Sequence, residues 1–436
     1  MLDFGRSDDP RVQSQLDRLA GLSVPQGRLG LDTIRALMDR LGNPHRTLPP
    51  VFHVAGTNGK GSVCAFLRAM LEAEGRRVHV TTSPHLVRYN ERIRLAGELI
   101  GDAMLADLLE EVLDAGEDLG PSFFEATIAA AFTAFARVPG DVCVVEVGMG
   151  GRFDATNVLE PEALAACGIA ALGLDHERFL LAPEEGTPSE PMARIAFEKA
   201  GIAKRGVPLV TLRHEALPAG AVAAQASRFK APLFAQGDAW DALCVGDVLA
   251  YSDETRTGGM DVLHLPLPSL AGAHQFDNAG LAIAMLRHQR RVTVSDAAIA
   301  LGLHTVTWPA RLQRLSPGPL TGGRETWLDG GHNPSAGAIL GAHFGERRLH
   351  LVLGMLANKN PCALVEPLAE SIASLTVVPV PGHEAHPAQA FGKEAVCAPD
   401  LPAALTALPD DGLPILIAGS LYLAGEALRL NDELPR

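Results

Sequence analysis

A glycine-rich stretch near the start of the chain, HVAGTNGKGSV over residues 53–63, has residue types that suit phosphate binding. Glycines let a backbone curl closely around phosphate oxygens, and Lys60 supplies a positive charge. The hydroxyl of Ser62 is an oxygen ligand of the kind that magnesium prefers. The predicted chemistry is the binding of a nucleotide phosphate chain in a turn that contains Gly56, Gly59 and Gly61.

This stretch departs from the usual phosphate-loop pattern, which is Gly, four residues, Gly, Lys, and then Ser or Thr. Val54 stands where the first glycine belongs, and Gly61 separates Lys60 from Ser62. The stretch is therefore either a phosphate loop with a variant pattern or a plain glycine-rich turn. An apolar run precedes it and helical spacing follows it, which predicts a strand-to-helix turn whose N–H groups can face an anion. This context favours the phosphate loop.

Charged side chains follow two other apolar runs. Glu146 lies at the C-terminal end of DVCVVEV, the edge at which open α/β sheets bind ligands. A buried carboxylate needs a cation or strong donors, so we expect either magnesium or a pairing with Arg152. Asp175 and His176 follow the run ALAACGIAALGL. A histidine in this position suits either a structural role or a ligand role.

Two further motifs carry charge. Glu198 and Lys199 lie in a predicted helix, IAFEKAGIAK, and the local pattern predicts a solvated pair on its surface. The motif DGGHNP, residues 329–334, follows a predicted strand nearer the C-terminus. Its Asp329 and His332 suit contacts to a nucleotide ribose or phosphate, although Asn-Pro also commonly begins a helix.

The elements that must position these residues alternate along the chain. Short β-rich runs and helical patterns follow one another, which predicts a parallel α/β architecture. From about residue 240 to 270 strands and turns predominate, which predicts a small antiparallel section. An extended, proline-containing stretch after Val306 indicates a domain boundary. We predict a phosphate-loop domain over residues 1–306 and a Rossmann-like α/β domain over residues 307–436.

Composition excludes several classes of protein. The 436 residues are 47% apolar and 20% charged with a net charge of −14, so we expect a large core and no nucleic-acid partner. Six scattered cysteines indicate a reducing compartment rather than a thiolate metal site. The first residues lack the pattern of a secretory signal, and the longest apolar run is shorter than the ~20 residues of a membrane helix. These features predict a cytoplasmic protein that does not bind a membrane.

Taken in order, the motifs resemble the Mur ligase superfamily and, within it, the folylpolyglutamate synthase/dihydrofolate synthase family, particularly the bifunctional bacterial type. The folate branch carries Gly-Ser after the loop lysine where the cell-wall branch carries Thr, so Gly61 favours folate substrates. The resemblance covers nearly the whole chain through the stretches HVAGTNGKGSV, TTSPHLVRYNERI, FFEATIAAAF, VVEVGMGGRFDATN, LDHERF, IAFEKAGIAK, AGAHQFDNA, WPARLQ, DGGHNP and AGSLYLAGE.

The resemblance implies a monomeric ATP-dependent ligase that adds L-glutamate to dihydropteroate and to reduced folates through an acyl phosphate. The ATP contacts that it implies are Gly56, Thr57, Asn58, Gly59, Lys60, Gly61, Ser62, Asn278, Arg311, Asp329 and His332. The folate contacts that it implies are Ser83, Pro84, His85, Arg88, Phe124, Glu125 and Thr127.

The resemblance also implies two magnesium ions. Ser62 and Glu146 would hold the first, and His176 and a carbamylated Lys199 would lie near the second. A lysine that loses its proton can react with CO₂, which turns a cation into an anionic group with oxygen ligands. The implied catalytic residues are Lys60, Glu146, Asp154, His176 and Lys199.

The chain departs from the family pattern at several points. Ala310 replaces a glycine in WPAR and Gly331 replaces an alanine in DGGHNP, and both small changes are expected to be tolerated. The segment between His176 and Lys199 is longer than usual because of APEEGTPSEP, a predicted surface loop that could change how Lys199 is presented.

Two other hypotheses for the function are a cell-wall precursor ligase, against which Gly61 argues, and a nucleotide switch that hydrolyses or senses ATP without ligation.

Overall fold

The structure is a computed structural model that describes residues 7–22, 30–254 and 259–435. Its helices are α1 (Pro10–Gly21), α2 (Asp32–Arg40), α3 (Lys60–Ala73), α4 (Asp102–Gly116), α5 (Phe123–Arg137), α6 (Glu177–Leu180), α7 (Pro191–Ala200), α8 (Ala216–Phe229), α9 (His274–Arg287), α10 (Asp296–Thr305), α11 (Pro334–Phe344), α12 (Cys362–Val365), α13 (Leu401–Ala407) and α14 (Leu421–Leu430).

Its strands are β1 (Val51–Ala55), β2 (Val78–Thr81), β3 (Ile93–Leu95), β4 (Glu98–Leu99), β5 (Val142–Glu146), β6 (Leu164–Ile169), β7 (Leu209–Thr211), β8 (Leu233–Ala235), β9 (Trp240–Val245), β10 (Val248–Glu254), β11 (Met260–Pro266), β12 (Gln313–Arg314), β13 (Thr326–Leu328), β14 (Leu349–Leu353), β15 (Ile372–Val377), β16 (Val396–Cys397) and β17 (Ile415–Ala418). None of the helices in the described part of the chain is long and apolar enough to span a bilayer.

The chain forms two compact units. The first contains residues 1–269 and 275–306, and the second contains residues 270–274 and 307–436. The second unit therefore takes a short segment, ending at the first residue of α9, that the sequence places inside the first domain. Each unit has its own hydrophobic core.

The first unit is built on an eight-stranded sheet with the order β4-β3-β2-β5-β1-β6-β7-β8. The six strands from β2 to β8 in this order are parallel, whereas β3 and β4 form an antiparallel edge. Strands β1, β5 and β6 are buried along their whole length. This burial on both faces explains why their sequences are continuous apolar runs rather than alternating patterns.

A separate three-stranded antiparallel sheet, β11-β10-β9, confirms the predicted antiparallel section. One of its faces is buried through Trp240 and Tyr251. Arg287 of α9 donates to Asp253 of β10 at 2.7 Å, which ties this small sheet to the helix that follows it.

The second unit contains a six-stranded sheet with the order β12-β13-β17-β14-β15-β16. All its strands are parallel except β12, which pairs antiparallel to β13. The α/β class predicted from the sequence is confirmed in both units. The pattern of PCALVEPLAESIA, residues 361–373, predicts one helix, and this prediction is wrong in its length, because α12 ends at Val365 and strand β15 begins at Ile372. Pro367 explains this early end, since proline lacks the N–H that a continuing helix needs.

Candidate functional site

The glycine-rich stretch forms the turn between β1 and α3, as its flanking patterns predict. Gly56 has φ 154° and Gly59 has φ 82°, and residues that carry a side chain rarely adopt either backbone conformation. Thr57 fixes the loop through its hydroxyl, which donates to the carbonyl of Gly173 at 2.9 Å and accepts from that residue's N–H at 3.0 Å. Asn58 adds a backbone hydrogen bond to the carbonyl of Ala171 at 3.2 Å.

The glycines of this loop are also required by close packing. A Cβ on Gly56 would lie 2.9 Å from the Cβ of Ala170, and one on Gly59 would lie 2.4 Å from Oδ1 of Asn278. Asn278 in turn donates to Gln275 at 3.0 Å, and Gln275 donates to the hydroxyl of Ser62 at 3.4 Å. Helix α9 thus supports the loop through two amide side chains.

Glu146 is the last residue of β5, the neighbour of β1 in the sheet, and its side chain is 5% exposed. Its carboxylate accepts from the N–H of Ser83 at 3.0 Å and lies 4.0 Å from Nζ of Lys60. The alternative pairing with Arg152 is wrong, because Arg152 instead donates to Glu184 and Glu198 at 2.6 and 2.7 Å. The loop lysine and a buried acid therefore face each other at the carboxyl edge of the sheet.

Lys199 reaches the same loop from α7. Its Nζ donates to the carbonyl of Gly56 at 2.8 Å. The predicted solvated pair is wrong, because Glu198 and Lys199 are each only 4% exposed. Burial, together with the positive charge of Lys60, lowers the pKa of Lys199 to about 7. A large fraction of Lys199 is therefore an uncharged amine near neutral pH.

The segment after β5 packs directly against the end of α7. A Cβ on Gly151 would lie 2.7 Å from the carbonyl oxygen of Lys199, so only glycine permits this approach. Asp154 closes the segment, since its carboxylate accepts from the N–H of Met149 at 2.8 Å and from the N–H of Thr156 at 3.0 Å. Burial raises the pKa of Asp154, while these hydrogen bonds oppose that shift.

His176 immediately precedes α6 and adopts the left-handed conformation with φ 53°. Its Nε2 lies 3.8 Å from the carboxylate of Asp175, and its side chain is 31% exposed. The negative charge of Asp175 opposes the lowering of the Lys199 pKa. Asp175 and Lys199 are therefore electrostatic neighbours, and His176 lies beside Asp175.

The segment after β2 is held by side chains that the sequence motif contains. Arg92 is 1% exposed and donates from Nε to Nδ1 of His85 at 2.8 Å. Ser83 is half-buried beside Glu146, whereas Pro84 and Arg88 are exposed. Of the residues implied as folate contacts in this segment, His85 is thus fixed from within the protein and Arg88 extends to the surface.

The residues at the start of α5 have different environments. Glu125 caps its own helix, because its carboxylate accepts from the N–H and the hydroxyl of Ser122 at 2.8 Å each. Thr127 is 1% exposed and its hydroxyl lies 2.6 Å from that of Tyr89. Phe124 is half-buried and packs so close to Gly148 that a Cβ there would lie 2.5 Å from the ring. Phe124 is the best placed of the three to contact a flat ring system.

The candidate residues of the second unit cluster around Asp329. Its carboxylate accepts from the N–H of Gly331 at 2.7 Å and from the N–H of Leu312 at 2.8 Å. Burial raises the pKa of Asp329 and the charge of Arg311 opposes that shift, which places Arg311 close to the carboxylate. Nδ1 of His332 lies 3.1 Å from the carbonyl of Gly330. These side chains converge on the turn between β13 and α11.

The two single-residue departures from the family pattern, Ala310 and Gly331, both lie at or beside this turn, since the N–H of Gly330 donates to the carbonyl of Ala310 at 3.0 Å. Ala310 adopts φ 57°, a conformation that costs a non-glycine residue about 1 kcal/mol. A Cβ on Gly331 would lie 2.7 Å from Oδ1 of Asp329, so glycine leaves that carboxylate room to accept its backbone bonds. Asn333 caps α11 by accepting from the N–H of Ala336 at 2.9 Å, so Asn-Pro does begin the helix.

The structure also identifies residues that the sequence reasoning did not single out. Gln275 bridges Ser62 and Asn278, and Glu184 joins Arg152 and Arg194 in one ion-pair cluster with Glu198. Gln275 belongs to the motif AGAHQFDNA, which was a usable signal. Glu184 belongs to the extra loop, where no local pattern predicts a buried partner.

The donor set around the phosphate loop suits a hard cation. Ser62 and Glu146 offer oxygen ligands near the loop, and the described ranges contain no group of three or more His, Cys, Asp or Glu side chains arranged to hold a metal. Magnesium is typically bound by one or two carboxylates together with substrate phosphates and water. This sparse set therefore fits a magnesium ion that arrives with a nucleotide better than a zinc or calcium cage.

The fold and this site together define a nucleotide-dependent α/β enzyme of two units. No family model matches the chain. It is 32% identical over 436 residues to a dihydrofolate synthetase of Saccharomyces cerevisiae, covering 93% of this chain and 98% of the relative. It is 34% identical over 365 residues to a dihydrofolate synthase/folylpolyglutamate synthase of Bacillus subtilis, covering 79% and 80% of the two chains.

Solved structures agree with these relatives. FolC of E. coli in complex with DHPP and ADP superposes with a TM-score of 0.84 at 29% identity over 97% of both chains. A bifunctional folylpolyglutamate synthase/dihydrofolate synthase with Mn, AMPPNP and L-glutamate bound has a TM-score of 0.82 at 28% identity, over 98% and 99% of the two chains. This chain belongs to the folylpolyglutamate synthase/dihydrofolate synthase family, which confirms the resemblance seen in its motifs.

Proposed function

We propose that this protein is an ATP-dependent ligase that adds L-glutamate to dihydropteroate and to reduced folates through an acyl phosphate. The observation that carries the proposal is the approach of Lys60, Glu146 and Lys199 to one phosphate loop. The family relatives support it, since one neighbour holds DHPP and ADP and another holds Mn, AMPPNP and L-glutamate. A bifunctional relative covers 79% of the chain, which supports both acceptor substrates.

The residues of the loop would act in the first half of the reaction. The carboxylate of the pterin substrate attacks the γ-phosphorus of ATP, so a P–O bond forms to the substrate and ADP leaves. Lys60 and the loop N–H groups stabilise the negative charge that develops on the phosphoryl oxygens. Bound magnesium, for which Ser62 and Glu146 are the proposed ligands, would supply further charge neutralisation there.

The second half of the reaction forms the amide. The amine of L-glutamate attacks the acyl carbon, a tetrahedral intermediate forms, and phosphate leaves as the carbonyl is restored. Asp154, Asp175 and His176 lie around the Lys199 end of the site, where they can orient the amine and take its proton. Phe124 and the segment from Ser83 to Arg88 are the proposed contacts of the pterin and benzoate groups. Asn278, Arg311, Asp329 and His332 are the proposed contacts of the nucleotide.

Carbamylation of Lys199 is a finer part of the proposal. A neutral lysine amine attacks CO₂, forms a C–N bond, loses a proton and becomes an anionic carbamate. Burial and the Lys60 charge supply the neutral amine, because they lower the pKa of Lys199 to about 7. With His176, the carbamate oxygens would hold a second magnesium ion. Protein incubated with ¹³C-bicarbonate should give one carbamate NMR signal that is absent from Lys199→Ala.

The test of the main proposal measures phosphate release by purified protein with ATP and magnesium. Dihydropteroate plus L-glutamate is compared with tetrahydrofolate plus L-glutamate, and each is repeated without glutamate. Turnover with both pterins that requires glutamate and is lost in Lys60→Ala supports the proposal. Release that does not require glutamate indicates a nucleotide hydrolase or switch, and turnover with neither pterin indicates another acceptor, for which cell-wall precursors are the next substrates.

Two further properties complete the proposal. A monomer in the cytoplasm is proposed, in keeping with its acidic charge of −14 and the scattered cysteines. Light scattering on the purified protein should give a mass near the 46.0 kDa of one chain.

A further inference from the structure

A polar cavity of about 350 Å³ lies in the first unit, and none of its lining residues belongs to the proposed ATP or folate contacts. It lies between α2, the turn that follows α2, the segment after Asp154 and the chain just beyond α7. Its cationic lining side chains are Arg35, Arg46 and Lys204, its carboxylates are Asp39 and Glu160, and its neutral polar ones include His45 and Asn157. This cavity is called the α2 cavity below.

Two cations of the α2 cavity have no carboxylate partner within the ranges 7–22, 30–254 and 259–435. Lys204 donates only to the backbone carbonyl of Asn157, at 3.3 Å, and no ion pair is formed by Arg35 there. The nearby carboxylate of Glu160 is already engaged by Arg46, whose Nη2 lies 3.0 Å away. Burial lowers the pKa of Lys204 and so does the charge of Arg35, whereas the charge of Glu160 opposes that shift. Arg35 and Lys204 therefore repel each other, and because the three cations of the lining outnumber its two carboxylates, the cavity favours a negative charge.

Two residues that line the cavity also carry a buried polar atom that lacks a hydrogen-bond partner in the described part of the chain. They are Nδ1 of His45 and Oδ1 of Asn157, and each residue is 5% exposed. Buried polar atoms in proteins are almost always hydrogen-bonded. Two such atoms without a partner, both in residues that line one cavity, therefore point to a ligand. Burial lowers the pKa of His45, so its ring is neutral at pH 7 and its Nδ1 can carry a proton and donate it.

We propose that the α2 cavity binds a small molecule that carries a phosphate or carboxylate group, held by Arg35 and Lys204. His45 donates to an oxyanion oxygen, and Asn157 accepts from a hydroxyl or ammonium group of the same molecule. The volume of about 350 Å³ corresponds to roughly ten water molecules, which is enough for a small metabolite rather than only an isolated oxyanion. Such a ligand would relieve the Arg35–Lys204 repulsion and satisfy both unpaired atoms.

The test uses the whole protein with its phosphate loop kept occupied by a non-hydrolysable ATP analogue and magnesium. The ring signals of ¹³C-labelled histidine are followed by NMR, and that of His45 is assigned with His45→Gln. Inorganic phosphate and glutarate are titrated in separate arms at constant ionic strength, with chloride as the balancing anion. The variants are Lys204→Met and Arg35→Met, and the matched control is Arg205→Met, because Arg205 is the exposed neighbour of Lys204.

We expect at least one of the two anions to shift the His45 signal in a saturable way. The anion that binds more tightly, phosphate or glutarate, identifies the acidic group that the site prefers. Loss of one charged hydrogen bond should weaken that binding about tenfold in Lys204→Met and in Arg35→Met. Arg205→Met should change it less than twofold. The proposal is overturned if neither anion moves the His45 signal, or if both cavity variants bind like the unmodified protein. Urea unfolding of each variant verifies that the comparison is made between folded proteins.

Discussion

Lys199 illustrates how the burial of a side chain changes its chemistry. Its helix shows the spacing of a surface helix, so the sequence predicts a solvated Glu198–Lys199 pair, but both side chains are buried. The reason is tertiary: Gly151 and Gly201 allow the segment after β5 to pack against this turn of α7, as each glycine would clash with that neighbour if it carried a Cβ. No local pattern reports such an approach. The phosphate loop, in contrast, was predictable because its glycines, lysine and flanking runs are adjacent in sequence.

The first prediction concerns the pH dependence of ligation. Lys199 has its pKa lowered to about 7, so the amine is protonated below that pH and neutral above it. Only the neutral amine can form the proposed carbamate with CO₂, so activity should rise as pH increases through about 7. A single protonation predicts about a fivefold loss of kcat between pH 7 and pH 6. Steady-state rates with and without added bicarbonate measure it.

The control for this prediction removes CO₂ from the buffers at pH 8. Activity should then fall and return when bicarbonate is added. A pH profile that is unchanged by removal of CO₂ would show that Lys199 acts only as an amine. Lys204→Met serves as a comparison, because Lys204 is a second buried lysine of the same unit whose pKa burial also lowers.

At the scale of elements, the turn between β1 and α3 gives the second prediction. Gly59 and Gly75 lie at the two ends of α3 with nearly equal angles, φ 82° and 80°, but only Gly59 is crowded. Gly75→Ala should cost about 1 kcal/mol of unfolding free energy, from the backbone alone, and leave ATP binding unchanged. Gly59→Ala also drives a methyl group against Asn278, so it should cost about 2 kcal/mol or more and weaken ATP binding.

Urea unfolding and titration with an ATP analogue measure these two effects separately. Because the two glycines have nearly equal φ angles, the difference between the variants isolates the contact with Asn278. Equal losses of stability and equal ATP affinities in both variants would mean that the loop can move away from α9 without consequence.

The extra loop between α6 and α7 gives the third prediction. Glu184 in this loop contacts Arg152 at 2.6 Å and Arg194 at 3.2 Å, and both arginines also contact Glu198, the neighbour of Lys199. Glu184→Gln leaves two largely buried arginines with one carboxylate, so we expect a loss of about 1–3 kcal/mol in unfolding free energy. Because Lys199 should then be held less firmly, kcat should fall more than KM for ATP rises.

Glu185→Gln is the matched control, since Glu185 is the exposed next residue of the same loop. A surface change of this kind should alter the unfolding free energy by less than about 0.5 kcal/mol. If the two variants behave alike in urea unfolding and in kinetics, the loop is only a surface insertion, as the sequence alone suggests.

At the scale of the whole molecule, the order of strands and helices was largely predictable, since buried parallel strands have continuous apolar runs and helices have their own spacing. The long-range features were not. Residues 270–274 belong to the second unit although the rest of α9, which begins at His274, belongs to the first, and the α2 cavity brings together residues from 35 to 204. Such groupings depend on how elements pack, and a single sequence carries no direct record of them. The end of α12, in contrast, could have been predicted from the sequence, because Pro367 marks it.

The last prediction follows from the net charge of −14. At pH 7 the excess negative charge repels itself, and this destabilises the folded state. Added salt shortens the Debye length from ~30 Å at 0.01 M to ~8 Å at 0.15 M, so it screens that repulsion. Salt also weakens exposed ion pairs such as Arg11–Asp107, whose two side chains are 58% and 65% exposed. Each such ion pair contributes only ~0–1 kcal/mol. We therefore expect the melting temperature to rise by about 2 °C or more over this range.

Repeating the melts near pH 5.5 separates the two effects of salt. This is the isoelectric point of the sequence, where the net charge is about zero and the self-repulsion is gone. Only the weakening of ion pairs then remains, so salt should leave the melting temperature unchanged or lower it. The same upward shift at both pH values would contradict the argument, because it would show that salt acts through burial of apolar surface rather than through net charge.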